Sequence, residues 1–335
     1  EWTIGEPDLV LRSREMVVPA IGPDRWGDLG FVPTGLTEDR YVKAVEVREI
    51  NDIAGDTASS TVGGRYVFHH MTYSSGVLNE EGTAVDEDTR MRWPIHEVGR
   101  NADIFPEKFG TLLQANSALH LRASHIHPNG IQETTAHLEF GFVFQPKGYK
   151  PEYGNRARVR LGNGTDIDVV GGRAGQEFHA FAVLEQHTKL VAFEPHLHAP
   201  GTRMCIEAIW GSNHFTLNCV GYDHSWVKQY VYEDDAAPLL PKGTIMHIVG
   251  FLDTTAANEN VADSRNWAGG GRRSVANMFI DLGYSVELTE EQFQSEMADR
   301  RAKMKSRNDY DIGCPLCWAP VPTEMSTTTD EGGQQ

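Results

Sequence analysis

Apolar and polar residues alternate in short runs along most of the chain. Runs such as YVKAVEVREI, RYVFHHMTYS, HLEFGFVFQ and RMCIEAIWG are bounded by Gly, Pro, Asn and Asp clusters, which is typical of half-buried antiparallel strands. A helical pattern comes only with TEEQFQSEMADRRAKMKSR, where Thr289 and Gln292 stand in capping-box spacing. The pattern predicts an all-β protein of antiparallel sandwich sheets, followed by one C-terminal helix.

The length of 335 residues favours two domains of ordinary size. The segment QPKGYKPEYGN, at 145–155, is rich in turn residues and is the best candidate linker. We therefore predict a first β domain at 1–150, a second at 151–288, and a helix with a flexible tail at 289–335.

The formal net charge of −17 argues against a nucleic-acid or anionic-membrane partner. No apolar run of about 18 residues marks a membrane span. The chain begins with Glu1 rather than Met, which removal of an export signal or trimming would explain.

The four cysteines fall into two pairs. Pairing Trp210 with His214 across the GSN turn would set Cys205 directly opposite Cys219. A cross-strand disulfide there would favour an oxidising compartment, periplasmic or extracellular. Cys314 and Cys317 form CPLC near the tail, which suits a local disulfide or an exposed redox pair better than a zinc ribbon.

The histidines that are candidate metal ligands stand in pairs. His69 and His70 are adjacent, and neighbours on a regular strand face opposite sides, so sharing a metal would need a strand end or a bulge. The segment SHIHPNG holds His125 and His127, and HLHAPGTRM holds His196 and His198, both in same-face spacing. Some 80 residues later comes Met278, whose alternative interpretation is a core methionine.

Taken together, these residues offer imidazoles in the first half, and two imidazoles with a thioether in the second. Imidazole suits copper in either oxidation state, and a thioether is a soft ligand that favours Cu(I). The set therefore suggests two copper ions with different tasks. The thioether site would keep its metal reduced and open to dioxygen, and the all-imidazole site would cycle an electron.

Segments along most of the chain carry a family resemblance. They are PDLVL, VPTGLTEDRYVKAVEVR, FHHMTYS, SHIHPNG with LEFGFVFQPKG, EPHLHAPGTRM, YDHSWVKQYVYEDDAAPLLPKGT and WAGGGRRSVANMF. In their order and spacing the chain resembles the copper type II, ascorbate-dependent monooxygenases, the family of peptidylglycine α-hydroxylating and dopamine β-monooxygenases, and more closely their bacterial relatives.

The resemblance assigns the ligands residue by residue. His69 and His70 match the paired-histidine motif of the electron-storing copper. Alignment through Pro128 and Gly130 makes His125 its third ligand and leaves His127 as a bystander. The H-x-H motif assigns the oxygen-binding copper to the catalytic residues His196, His198 and Met278.

The resemblance further implies a fold, a reaction and partners. We expect two antiparallel jelly-roll-like domains, each holding one copper, that face each other across a water-filled cleft. Ascorbate or a similar donor would reduce both coppers, and O₂ would be used to hydroxylate a C–H bond of a small substrate. A homo-oligomer or a larger redox complex is an open alternative to a single chain. For the function, the open alternative to an enzyme is a non-catalytic copper-binding or structural subunit.

The chain departs from the peptide-hydroxylating members around the second motif. Glu194 stands where those members have a substrate-binding arginine, and Ile280 and Leu282 replace polar anchor residues. Asn277 stands where the family commonly has Glu before the methionine. We therefore expect a neutral or cationic substrate rather than a glycine-extended peptide, in an apolar pocket with an acidic edge.

Seven other histidines are interpreted as structural or solvated because they have no partner at ligand spacing. They are His96, His137, His179, His187, His214, His224 and His247.

Overall fold

In a computed structural model, the structure describes residues 1–53, 66–99, 102–154, 156–157, 159, 161–163, 166–266, 269–271 and 276–307. Within these ranges the chain is almost wholly β, with antiparallel pairing throughout its sheets and one α-helix. The predicted all-β sandwich class with a C-terminal helix is confirmed. The tail beyond residue 307, with Cys314 and Cys317, lies outside the described residues.

The first half forms two six-stranded sheets. Its strands are β1 (Leu9–Arg12), β2 (Met16–Val18), β3 (Arg25–Gly27), β4 (Phe31–Pro33), β5 (Arg40–Asn51), β6 (Phe68–Val77), β7 (Met91–Arg92), β8 (His96–Glu97), β9 (Ala102–Ile104), β10 (Leu112–Leu113), β11 (Ser117–Ile126) and β12 (Thr134–Phe144). One sheet has the order β1-β12-β5-β10, with β2 on β12 and β9 on β5. The other has the order β3-β11-β6-β7, with β4 on β11 and β8 on β6.

The second half forms three sheets and the helix. Its elements are β13 (Arg156–Ala157), β14 (Gly162–Asn163), β15 (Gln176–Val183), β16 (His187–Phe193), β17 (Pro195–Leu197), β18 (Gly201–Trp210), β19 (Asn213–Gly221), β20 (Tyr230–Val231), β21 (Leu239–Leu240), β22 (Ile245–Leu252), β23 (Phe279–Asp281), β24 (Tyr284–Leu288) and α1 (Glu290–Arg307). The sheets run β13-β24-β16-β20 with β21 on β16, then β14-β23-β17, and β15-β22-β18-β19.

The two halves are joined through a shared core. The large cluster built on the first pair of sheets also includes Val191, Tyr284 and Val286 of the second half, together with Phe293 and Met297 of α1. The smaller cluster, which includes Leu197, Ile206 and Ile248, lies wholly in the second half. The predicted boundary near residue 150 stays a prediction, but β16, β24 and the helix pack on the core of the first half.

Helix α1 begins as its sequence predicts. The Thr289 hydroxyl accepts a hydrogen bond from Gln292 N at 3.2 Å, and Gln292 Oε1 accepts one from Thr289 N at 2.9 Å. This reciprocal pair is the capping box. Among the described residues, no helix is both long and apolar enough to cross a bilayer.

The predicted Cys205–Cys219 disulfide is present. The hairpin register behind the prediction was wrong at the turn, because Trp210 pairs with Asn213 rather than with His214. Gly211 has φ +59° and, with Ser212, makes a two-residue turn of the kind that glycine favours. A register shift between Ile206 and Glu207 then restores the pairing that sets the cysteines opposite each other.

Candidate metal centre

A bulge in strand β6 explains how two adjacent histidines reach the same site. His70 pairs with His125 on β11, whereas Phe68 pairs with Ile126, so the register shifts by one residue and His69 is the extra residue. Adjacent residues of a regular strand point to opposite faces, and a bulge re-aims one of them. The His69 and His125 rings accordingly lie with their centroids 5.5 Å apart, and the His70 and His125 rings 5.3 Å apart. The bulge required by the sequence argument is therefore present.

Seven histidines from both halves form one continuous group, which we call the central histidine cluster. Its members are His69, His70, His125, His127, His196, His198 and His224. The His70 and His196 centroids are 5.8 Å apart, and those of His196 and His198 are 5.3 Å apart. The prediction of a water-filled cleft between the two predicted ligand sets is wrong, because imidazoles of the two halves are in ring contact.

Ring geometry bears on which histidines can share an ion. Two imidazoles bound through nitrogens about 2.0 Å from one ion keep their centroids within roughly 6 Å of each other. The predicted trio His69, His70 and His125 has centroid separations of 5.3 to 6.1 Å, with rings inclined by 62 to 72°. This trio therefore approaches the arrangement that a shared ion requires.

His127, which the sequence analysis treats as a bystander, also lies at this site. Ligand nitrogens of His69, His125 and His127 are all within 4.8 Å of one another. The His69 and His127 rings, however, are nearly parallel, at 5° and 4.5 Å between centroids. A metal lies close to the plane of each imidazole that binds it, so these two rings share an ion only after one of them rotates. Ring orientation therefore favours the predicted trio, whereas the spacing of the ligand nitrogens favours His127, because His70 does not belong to the group that meets it.

The second predicted set comes from two paired strands. In β17, Pro195, His196 and Leu197 pair with Asp281, Ile280 and Phe279 of β23. Continuing this register by one residue sets His198 opposite Met278, which is half-buried just before β23. His198 Nδ1 also lies 3.1 Å from the Ala276 carbonyl, so the H-x-H motif and the segment that holds Met278 meet at one end of this small sheet, although they are some 80 residues apart in sequence.

Three imidazoles of the cluster have an oxygen partner on one ring nitrogen. Asp24 Oδ2 lies 2.8 Å from His125 Nε2, Glu97 Oε1 lies 2.6 Å from His196 Nδ1, and the Ala276 carbonyl lies 3.1 Å from His198 Nδ1. Such partners fix the tautomer and the orientation of metal-binding histidines.

Burial favours the neutral form of six imidazoles in the cluster, those of His69, His70, His125, His127, His198 and His224. Desolvation, with repulsion from neighbouring imidazoles, lowers the pKa of His69 and His70 well below its ordinary value. The same causes lower the pKa of His127 and His224 to about 4, and that of His198 to about 3. At neutral pH these rings carry free lone pairs, the form in which histidine binds metals.

Several buried ring nitrogens are unpaired within the described part of the chain. They are Nδ1 of His69, of His125 and of His224, and Nε2 of His127. An unsatisfied buried polar atom costs about 1–3 kcal/mol, and a metal ion would satisfy several of them at once. The donor set, its neutral state and these unpaired nitrogens fit a transition metal.

Asp24 and Glu97 were not predicted from the sequence, and His224, predicted to be structural or solvated, lies in the cluster. Asp24 is 101 residues from His125, and Glu97 and His196 come from different halves, so no spacing rule links them. His224 lies within the family-like segment YDHSWVKQ, which was the one signal for it. For His127 the signal was its same-face spacing from His125.

A cavity of about 210 Å³ lies beside the second set. Its lining includes Val169, Ala199, Pro200, Asp263 and Asn277. Glu194, expected at the edge of a substrate pocket, is instead fully buried, and its carboxylate accepts a hydrogen bond from Gln229 Nε2 at 3.1 Å. The carboxylate on the cavity wall belongs to Asp263.

Comparison with known proteins gives little further guidance. No family model matches the chain, and no curated protein matches it. Among solved structures, the chain is similar to one titled "Recombinant peptide: N-glycanase F (PNGase F)", at 10% identity over 84% of this chain and 96% of that one, with a TM-score of 0.33. A likeness this remote assigns no activity to the chain.

Proposed function

We propose that this protein is a copper-dependent monooxygenase that hydroxylates a C–H bond of a small organic substrate. The substrate R–H and O₂, with two electrons and two protons, give R–OH and water, and ascorbate or a similar donor supplies the electrons. The proposal rests on one observation above all, the convergence of seven histidines from both halves, several of which have an unpaired, buried ring nitrogen within the described part of the chain.

Two copper ions per chain suit the donors present. His69, His70 and His125 would hold one ion, and His196, His198 and Met278 the other, because imidazole suits both oxidation states and the thioether favours Cu(I). When bound, copper supplies one-electron redox chemistry and activation of dioxygen. The residues that would hold the two ions are in contact, since the His70 and His196 ring centroids are 5.8 Å apart.

The protein's own residues have separable tasks in this proposal. Asp24 and the Ala276 carbonyl would hold the His125 and His198 rings in fixed tautomers, and the Glu97 carboxylate lies beside His196 Nδ1. The buried position of His125, His196 and His198 excludes bulk water from the ligands. Exclusion of water protects reactive intermediates from side reactions.

The cavity beside Met278 is the proposed substrate site. It touches Ala199, which follows the H-x-H motif, and Asn277, which precedes the thioether. Valine, alanine and proline side chains line part of it, and Asp263 adds a carboxylate that is paired with Arg265 at 2.8 Å. This lining suits a small neutral or cationic molecule. The disulfide supports a periplasmic or extracellular location.

Copper loading with ascorbate-driven oxygen consumption tests the proposal. We expect about two copper ions per chain by metal analysis, and O₂ uptake that rises when a suitable small substrate is added, with hydroxylated product found by mass spectrometry. Two bound coppers without substrate-dependent uptake across a broad panel would favour a copper-binding protein. Failure to bind copper at all would overturn both interpretations.

A pair of matched variants identifies the third ligand of the first copper. The His70 ring is crossed with those of His69 and His125, so we expect His70→Ala to reduce copper affinity at this site more than about 100-fold. Such a loss exceeds that caused by removing a residue that only hydrogen-bonds to a ligand. His127→Ala, whose ring is parallel to that of His69, should reduce it less than about 10-fold. Equilibrium dialysis of each variant measures the difference. A reversal of the two results would transfer the ligand role to His127.

A further inference from the structure

A second group of metal-binding side chains lies on the outer face of the β15-β22-β18-β19 sheet. Glu207 Oε2 is 2.8 Å from His214 Nε2 and 2.7 Å from His247 Nδ1, so both imidazoles converge on one carboxylate oxygen. One donor atom from each of the three residues lies within 4.8 Å of the other two. From the sequence both histidines were predicted to be structural or solvated, because neither has a partner at ligand spacing.

The strands hold these donors in place. Glu207 on β18 pairs directly with His247 on β22, and His214 lies at the start of β19 after the tight turn. The Cys205–Cys219 disulfide joins β18 to β19 two residues before Glu207, hence on the same face of the sheet. A ligand set on paired, covalently joined strands is organised before any ion arrives.

The far side of the His247 ring is also supported. His247 Nε2 lies 3.0 Å from His179 Nδ1, and the Phe181 ring stacks on His247 at 4.2 Å and 2°. A metal-binding imidazole commonly donates its other N–H to a neighbour. With His247 Nδ1 facing an ion, Nε2–H would donate to His179 Nδ1, so that His179 serves as a positioning residue.

We propose that Glu207, His214 and His247 form a divalent-metal site, best suited to Zn²⁺, separate from the central histidine cluster. Two imidazoles and one carboxylate, without a thiolate or thioether, are a known zinc donor set that keeps further coordination positions open. The His214 side chain is 56% exposed, so an ion can enter from solvent and retain water there. The ion would replace the two hydrogen bonds that now converge on Glu207.

Calorimetric titration of the metal-free, full-length protein with zinc chloride tests this site. The central cluster also offers imidazoles, so the decisive quantity is the difference between proteins. Wild type should bind one more zinc ion per chain than His214→Ala and Glu207→Gln, or bind that ion at least about 10–100-fold more tightly. Loss of a ligand weakens metal binding at least as much as loss of a residue that hydrogen-bonds to a ligand.

A matched control removes a histidine that pairs with a single carboxylate. His187 Nε2 lies 2.7 Å from Glu290 Oε2, and His187→Ala should bind as much zinc as wild type. His214 is exposed, so its replacement leaves the sheet intact, which a thermal melt verifies. If His214→Ala binds zinc with wild-type stoichiometry and affinity, the site does not exist.

Discussion

Replacing Met278 by isoleucine should abolish ascorbate-driven turnover and leave the histidine-bound copper in place. Isoleucine retains the apolar bulk but offers no sulfur, so the second copper would lose the soft ligand that favours its reduced state. Met278 stands just before β23, the strand that pairs with the H-x-H segment, whereas His69, His70 and His125 lie at or beside the paired strands β6 and β11. We expect a loss of activity of more than about 100-fold, beyond what removal of an outer partner costs.

The readouts separate loss of a ligand from loss of the fold. Copper analysis should find about one firmly bound ion per chain, and X-ray absorption of the reduced protein should lose its copper–sulfur contribution. Met204→Ile is the matched control, because Met204 is fully buried in the core of β18 near the same motif. A swap of similar volume there usually costs less than about 1.5 kcal/mol and should leave turnover intact. Retained activity in Met278→Ile would remove the thioether from the proposal.

Local patterns in the sequence were enough to predict the class of fold. Alternation predicts strands because each strand buries one face, and the Thr289–Gln292 capping box is a contact over three residues. The Cys205–Cys219 pairing was also predictable, although the turn shifted by one residue and a bulge restored it. Local signals set strands and caps, while bulges depend on packing against the neighbouring strand.

The relation between the two halves was not predictable from these signals. Alternation does not say which strands of one half pack on the other, and it gave no indication that β16, β24 and α1 join the first core. The same missing information explains why the prediction of a cleft was wrong. His70 and His196 are in contact, but their separation along the sequence does not indicate how far apart they lie in space. Resemblance supplied candidate ligands, but Glu97 and Asp24 become visible only when the strands are assembled.

The metal-free protein should lose stability steeply as the pH falls from about 6.5 to 4. In the unfolded chain a histidine titrates near 6.5, whereas burial lowers the pKa of His127 and His224 to about 4 and that of His198 to about 3. Between these values the unfolded chain binds protons that the folded chain does not. Each such histidine therefore removes about 1.4 kcal/mol of stability per pH unit across that window. Contacts with Lys108, Tyr153 and Lys189 lower the pKa of Glu296 to about 2 despite its burial. The stability that this carboxylate contributes is therefore lost only at lower pH.

Denaturant unfolding of metal-free protein at several pH values between 7.5 and 4.5 measures this slope. His224→Asn removes one buried imidazole and should reduce the slope by up to about 1.4 kcal/mol per pH unit. His214→Asn, which replaces a histidine whose side chain is 56% exposed, is the control for the substitution itself. Saturating copper should flatten the curve above pH 6, since a ligand bound only by the folded state stabilises it, and protons compete with that metal at lower pH. A metal-free stability that stays constant from pH 6.5 to 4.5 would contradict the lowered pKa values of His127, His198 and His224.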